Sequence, residues 1–126
     1  MLNAAAISSD GTRVATAWGS WRTKGGSVVL VEKLNGSAEI IGRLEDLADD
    51  VTGLAFSDDG RCLIACDRNG TLLHWDLETK DLIYHFGPTA FCACDISCDG
   101  RTVVAGDSNG FVHLLRLENS QPRPVT

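Results

Sequence analysis

The sequence holds no long apolar run, no excess of basic residues and no cysteine framework, and each absence removes a class of function. Its apolar runs all fall far short of the roughly 20 residues that cross a bilayer as a helix. The N-terminus, Met-Leu-Asn-Ala-Ala-Ala, has no basic stretch ahead of a sustained apolar one and does not read as a signal peptide. With 11 Lys and Arg against 17 Asp and Glu, the 126 residues carry a formal net charge of −6. A nucleic-acid binder needs basic surface to displace counterions, so that class is set aside. Five cysteines are an odd number without framework spacing, which fits a reducing compartment better than a secreted disulfide scaffold. The expected location is the cytoplasm. No nucleophile elbow, phosphate loop or HExxH motif occurs. The chain therefore reads as non-enzymatic, with no catalytic residue, no metal site and no cofactor expected.

What the chain does have is one turn written three times. Asp10-Gly11, Asp59-Gly60 and Asp99-Gly100 recur at intervals of 49 and 40 residues, each after an apolar run and a serine: Ser8, Ser57 and Ser97. Self-similarity at this period is the mark of an array of one small unit. Within the middle unit, residues 51–56 alternate as a strand does, with both faces largely apolar as for a strand covered on two sides. Ser57-Asp58-Asp59-Gly60 has the composition of a hairpin turn, in which Asp and Ser bond locally and Gly takes a positive φ. Residues 61–66, 71–77 and 82–86 read as three further strands, with a second tight turn at Asp67-Arg68-Asn69-Gly70. Four short antiparallel strands in about 40 residues make one propeller blade.

His74-Trp75-Asp76, closing the third strand of the middle unit, carries the dipeptide of the WD-repeat family, which this chain resembles over about residues 2–118. The last unit, Cys98 to Leu117, is also similar to the final repeat of the C-terminal propeller in bacterial NACHT/STAND-type signalling ATPases. The resemblance implies an all-β fold of three WD-type blades, at about residues 2–50, 51–90 and 91–118, followed by a flexible tail at 119–126. Register places Leu115-Arg116 and Val31-Glu32 where Trp75-Asp76 sits, so two of the three units lack the dipeptide. The glycine-histidine pair that precedes the first strand in such repeats is absent, and the family's Asp-His-Ser-Trp tetrad is expected to be incomplete. Asp67 and Asp107 stand at matching turn positions, where a carboxylate accepts backbone N–H bonds. Asp95 stands where Ala55 and Ala6 stand on the inner strand, and is expected to line the central channel or to be paired, since an unpaired buried carboxylate is costly.

Function is then expected to be protein–protein interaction by a scaffold without chemistry of its own. By resemblance the recognition face carries the turns between second and third strands. Its candidate residues are Trp18, Trp21, Arg22 and Lys24 on a glycine-rich insertion, Arg68 and Asn69, Ser108 and Asn109, with Asp49 and Asp50 on an adjacent acidic connection. Aromatic and Arg residues dominate binding hot spots, and acidic loops steer towards basic partners. The first unit begins at an inner strand and the last ends after its third strand, so the chain reads as the C-terminal part of a ring. Three blades do not close a ring of about 4 to 8; self-association or a partner chain is expected to complete it. One alternative is a sensor piece of a signalling ATPase. Another is a metal-binding or enzymatic protein using Cys92, Cys94 and Cys98 with His74, His85 or His113. Zinc pairs favour C-x2–4-C on turns, whereas Cys92 and Cys94 fall at period 2 on one strand, where cysteine packs as a small hydrophobe.

Overall fold

The computed structural model describes residues 2–19, 27–34, 36, 38–47, 50–87 and 89–116. These residues form strands and turns with no helix, in three separate antiparallel sheets. The first blade is β1 (Leu2–Ile7), β2 (Arg13–Trp18), β3 (Ser27–Leu34) and β4 (Ala38–Leu47), paired in chain order. The second is β5 (Val51–Phe56), β6 (Cys62–Asp67), β7 (Thr71–Asp76) and β8 (Leu82–Phe86), again in order. The third is β9 (Phe91–Ile96), β10 (Thr102–Asp107) and β11 (Val112–Arg116). The inner strands β1, β5 and β9 lie side by side, so the sheets stack face on face as blades around an axis.

The serine–aspartate turn closes each first hairpin identically. Ser57 Oγ donates to Asp59 Oδ1 at 2.7 Å, the same oxygen accepts the Arg61 N–H at 2.9 Å, and Ser57 Oγ accepts the Cys62 N–H at 3.0 Å. Ser8 with Asp10 and Ser97 with Asp99 repeat all three bonds. The fourth position is glycine each time because its φ is positive, 75° at Gly11, 71° at Gly60 and 72° at Gly100. Each turn satisfies its own polar groups, leaving the blade faces to pack.

Alternation along the strands gives each blade two apolar faces. Leu63, Ala65, Leu73 and Trp75 face the first blade and are buried against Ala15, Ala17, Val29 and Val31. Ile64, Cys66 and Leu72, the intervening positions, face the third blade and are buried against Phe91, Val103 and Ala105. The apolar character of both sides of the middle strands is thus explained: the middle blade is covered twice. Hydrogen bonds also cross between blades. Ser9 Oγ donates to Asp58 O at 2.7 Å, Arg13 Nη1 to Gly60 O at 2.7 Å, Lys80 Nζ to Ile41 O at 2.8 Å, and Thr52 Oγ1 to Phe91 O at 2.7 Å.

One register differs from the sequence reading. The Leu34 N–H donates to Thr12 O as the Leu77 N–H donates to Arg61 O. Arg13 pairs with Lys33 and Val14 with Glu32, just as Cys62 pairs with Asp76 and Leu63 with Trp75. Glu32-Lys33, not Val31-Glu32, therefore stands where Trp75-Asp76 does. The insertion after Trp18 is one residue longer than the sequence alone indicated, because no turn residue inside it fixes the count. In the third blade Val103 pairs with Leu115 and Thr102 with Arg116, as expected.

Candidate functional site

In the second and third blades the turn between second and third strands is built around a buried aspartate. Asp67 Oδ1 accepts the Asn69 N–H at 2.9 Å and the Thr71 N–H at 2.8 Å. Asp107 Oδ1 accepts the Asn109 N–H at 2.9 Å and the Phe111 N–H at 3.0 Å. Both carboxylates are buried, and both fix a turn whose next two residues, Arg68 and Asn69 or Ser108 and Asn109, are exposed.

The two turns are also tied to the connections between blades. The Arg68 N–H donates to Asp50 O at 3.1 Å, and the Ser108 N–H to Ala90 O at 2.9 Å, the equivalent bond one blade on. The Gly87 N–H donates to Gly70 O at 2.6 Å. Asp50, Arg68, Asn69, Ser108 and Asn109 thus share one end of the molecule. Gly19, just past Trp18, lies against Asn3 and the Asp50 side chain, which brings the end of β2 to the same place. Trp18 is the last residue of β2, 48% exposed, and its indole N–H donates to Thr16 Oγ1 at 3.1 Å. The ring therefore runs back along its own strand on the blade's open face. Trp21, Arg22, Lys24 and Asp49 lie outside the described residues.

The third blade contains a pairing that sequence reasoning missed. His113 Nε2 donates to Asp107 Oδ2 at 2.7 Å, while the imidazole meets the Phe91 ring edge-on at a centroid distance of 5.4 Å. This bond is the main cause holding the Asp107 carboxyl below its ordinary value; the Phe111 and Asn109 amides add to it against the opposing effect of burial. The histidine comes from the blade's own third strand, opposite Ala105, where the second blade has Leu73 opposite Ala65. A histidine placed across from the strand that ends in the turn aspartate was the available signal.

The remaining chemistry-bearing groups are dispersed. Cys92 and Cys98 are exposed, whereas Cys94 packs between blades. The Cys94 thiol hydrogen-bonds to Cys66, which pulls the Cys66 thiol down and, with burial, pushes the Cys94 thiol up. Burial lowers His74, reinforced by His85 against the opposing pull of Asp76. Among the described residues no group of three or more His, Cys, Asp or Glu side chains is placed to hold a metal ion. Asp95 is exposed and its Oδ1 accepts the Ile96 N–H at 2.8 Å. Among the described residues no helix is long and apolar enough to cross a membrane.

Asp76 of the WD dipeptide anchors the opposite end of the middle blade. Its Oδ1 accepts the Glu78 N–H at 2.9 Å and the Thr79 N–H at 3.1 Å, and its Oδ2 lies 3.1 Å from Arg61 Nε. Although partial burial works against it, these amides and the Arg61 charge hold the carboxyl below its usual range.

Residues 40–76 match the family described as WD domain, G-beta repeat. The stretch runs from the outer strand of the first blade to Trp75-Asp76. Among solved structures, the β-propeller domain of Myceliophteria thermophila Cps50 (Swd1) superposes with a TM-score of 0.78 at 14% identity, over 97% of this chain. The chain spans 37% of that structure's length. No curated protein sequence matches it. Residues 40–76 thus resemble a WD repeat, and the chain folds as antiparallel blades of a β-propeller.

Proposed function

We propose that the chain is a non-catalytic protein-interaction scaffold whose recognition surface is the end bearing Arg68, Asn69, Ser108 and Asn109, with Asp50 and Trp18 beside them. The observation that carries this reading is the pair of buried aspartates, Asp67 and Asp107, which hold exposed turn residues in a fixed geometry. Binding costs less when the contacting groups are already ordered, and propellers of this type are ordinarily scaffolds rather than enzymes. The fold alone does not name a partner. The chemistry offered is polar: the Arg68 guanidinium, the Asn69 and Asn109 amides and the Ser108 hydroxyl. The complementary partner is a protein segment with an acidic group to meet Arg68 and backbone amides and carbonyls to meet the Asn side chains.

Affinity capture from the cells that make the protein tests this, comparing the natural chain with an Arg68→Glu, Asn109→Ala double variant. Both substitutions leave the turn aspartates and glycines intact. A partner retained by the first bait and lost from the second supports the reading. A partner set that is the same for both baits removes this end of the molecule as the recognition surface.

A further inference from the structure

Where the second blade meets the third, two sulfur atoms come together over a bare glycine. Gly53 stands on β5 opposite Cys66 of β6. A Cβ added at Gly53 would lie 3.1 Å from Cys66 Sγ and 3.2 Å from Cys94 Sγ. Both sulfurs therefore close over the space a side chain would take, one from the second blade and one from β9 of the third. The Cys94 thiol hydrogen-bonds to Cys66. Thr52 Oγ1 lies 3.4 Å from the Cys66 sulfur and donates to Phe91 O, tying the same two blades beside the pair. Cys66 is buried and Cys94 half-buried, in one apolar cluster.

The equivalent place one blade earlier shows what packing alone requires. Counted from the turn serines, Gly53, Cys66 and Cys94 correspond to Ala4, Ala17 and Leu54. Those three are apolar and belong to one cluster between the first and second blades. That seam is filled with carbon, with alanine where the second blade has glycine. Cysteine packs as a small hydrophobe, and a single one here would need no further account. Two that face each other from different sheets are placed for a bond. Cysteines can be bridged only where the backbones already hold them close. The missing side chain at position 53 permits that approach, since the Cys94 backbone N would lie 3.2 Å from the same Cβ.

We propose that Cys66 and Cys94 form a redox-active pair, which a hydroperoxide converts to a disulfide joining the second and third blades. The Cys66 sulfur, as thiolate, attacks one oxygen of hydrogen peroxide. The O–O bond breaks, Cys66 becomes a sulfenic acid, and the departing hydroxide takes up the proton the thiol released, leaving as water. The Cys94 sulfur then attacks the Cys66 sulfur. The S–S bond forms, the S–O bond breaks, and the hydroxyl leaves with the Cys94 proton as a second water. Two thiols lose two electrons, and one peroxide is reduced to two waters. The Cys94 hydrogen bond favours the ionised form of Cys66, so attack and resolution fall to different sulfurs. Peroxide is scarcely larger than water, and the partial exposure of Cys94 gives it a way in that a maleimide lacks. Closed, the link restricts the unfolded chain and so favours the folded one; reduced, packing and hydrogen bonds alone hold the seam. The cross-link is read without a partner and stands or falls independently of the scaffold reading.

The test uses the full 126-residue chain with Cys62→Ser, Cys92→Ser and Cys98→Ser, so that Cys66 and Cys94 are the thiols that remain. The folded, reduced protein is treated with hydrogen peroxide, quenched, denatured and alkylated, and its intact mass is read. The expected product is the single chain less two hydrogens, with both alkylation sites lost and both restored by dithiothreitol. In denaturant the same treatment is expected to form the link more slowly, because the sulfurs are no longer held together. Both alkylations retained after peroxide, a gain of oxygens in place of the loss of two hydrogens, or a link formed no faster in the folded chain overturns the proposal. Circular dichroism checks that the triple variant keeps its β structure. If it does not, the natural chain is oxidised beside its Cys66→Ala and Cys94→Ala variants. A loss of two hydrogens in the natural chain that is absent from both variants supports the pair, and any other pattern overturns it.

Discussion

The indole of Trp75 in the second blade lies directly over Gly42 in the outer strand of the first. A Cβ added at Gly42 would stand 2.7 Å from Trp75 Cη2 and 3.0 Å from Cζ2. Trp75 is 4% exposed and sits among Val31, Leu63 and Leu77 in the core between these blades. Both residues fall inside the stretch that matches the WD repeat. The repeat as a sequence unit thus straddles two blades, and its tryptophan serves the contact between them.

Gly42→Ala is accordingly expected to destabilise the fold by overpacking, at about 1–3 kcal/mol. Gly42 has no positive φ, so the cost arises from the ring it strikes and not from the backbone. Trp75→Ala removes the ring and leaves a cavity, at about 3–5 kcal/mol. Because a smaller side chain at position 75 makes room for the methyl group, the double change costs less than the two singles combined. Chemical denaturation of the four proteins measures that coupling, and strict additivity would show that the two residues do not touch.

Acid lability follows from the turn carboxylates. Asp10 is lowered to about 2, first by the Thr12 amide and then by the Thr12 and Ser8 hydroxyls. Asp59 and Asp99 are lowered mainly by Ser57 and Ser97, and Asp107 mainly by His113. A carboxyl lowered on folding favours the folded chain once ionised. Its contribution is complete above about pH 4, near the unfolded value, and is lost as the pH falls below it, for Asp10 towards 2. Asp107→Asn is expected to lower stability at neutral pH and to flatten the fall in stability below about pH 4. Ellipticity followed from pH 7 to pH 1.5 at fixed denaturant checks this; an unchanged slope in the variant would mean the His113 bond is not formed.

The cysteines sort by position. Cys92 and Cys98 are exposed and are expected to react with a maleimide in the native protein within minutes. Cys66 is 1% exposed. The neighbouring Cys94 thiol favours its ionised form, but a nucleophile out of reach does not react. Cys62 is half-buried and its thiol is raised by that burial, so it lags the exposed pair. Intact-mass analysis against time should show two fast additions, a slower third at Cys62, and the last two on unfolding. Early labelling of Cys66 would show that the second and third blades separate readily.

The three Asp-Gly turns made most of this fold legible, because serine, aspartate and glycine each have a local chemical reason for their place and fix the strands on either side. The apolar alternation of residues 62–67 and 71–76 was legible for the same reason, and so was the stacking of blades on both sides of it. Contacts between blades were not. Nothing local in Thr52 announces a bond to Phe91 O, nor in Arg13 one to Gly60 O, since both depend on how the sheets are rotated about the axis. The one-residue slip at Glu32-Lys33 has a similar origin. Trp18 marks where β2 ends and Ser27 where β3 begins, but only the cross-strand pairs tell how many residues lie in the detour. In the turns between second and third strands, Asp67 and Asp107 were readable as acceptors of backbone amides while the His113 bond was not, because its partner lies across a hairpin rather than along the chain.

Two glycines at equivalent turn positions separate the clamp from the surface it supports. Gly70 and Gly110 both have positive φ, 80° and 86°, so alanine at either pays the left-handed penalty of about 1 kcal/mol. Their surroundings differ. A Cβ at Gly110 meets nothing within 4 Å, whereas at Gly70 it would lie 2.7 Å from Thr89 O and 2.9 Å from Gly87 O. Those are backbone atoms, and they yield only if the connection between the second and third blades moves. Gly110→Ala should therefore cost about 1 kcal/mol and leave partner capture unchanged. Gly70→Ala should cost about 2–3 kcal/mol by adding overpacking to that penalty, and should weaken capture by displacing Arg68 and Asn69. Equal losses of stability in the two variants would mean that the connection gives way freely, and that the turn at 67–70 is not held as a rigid platform.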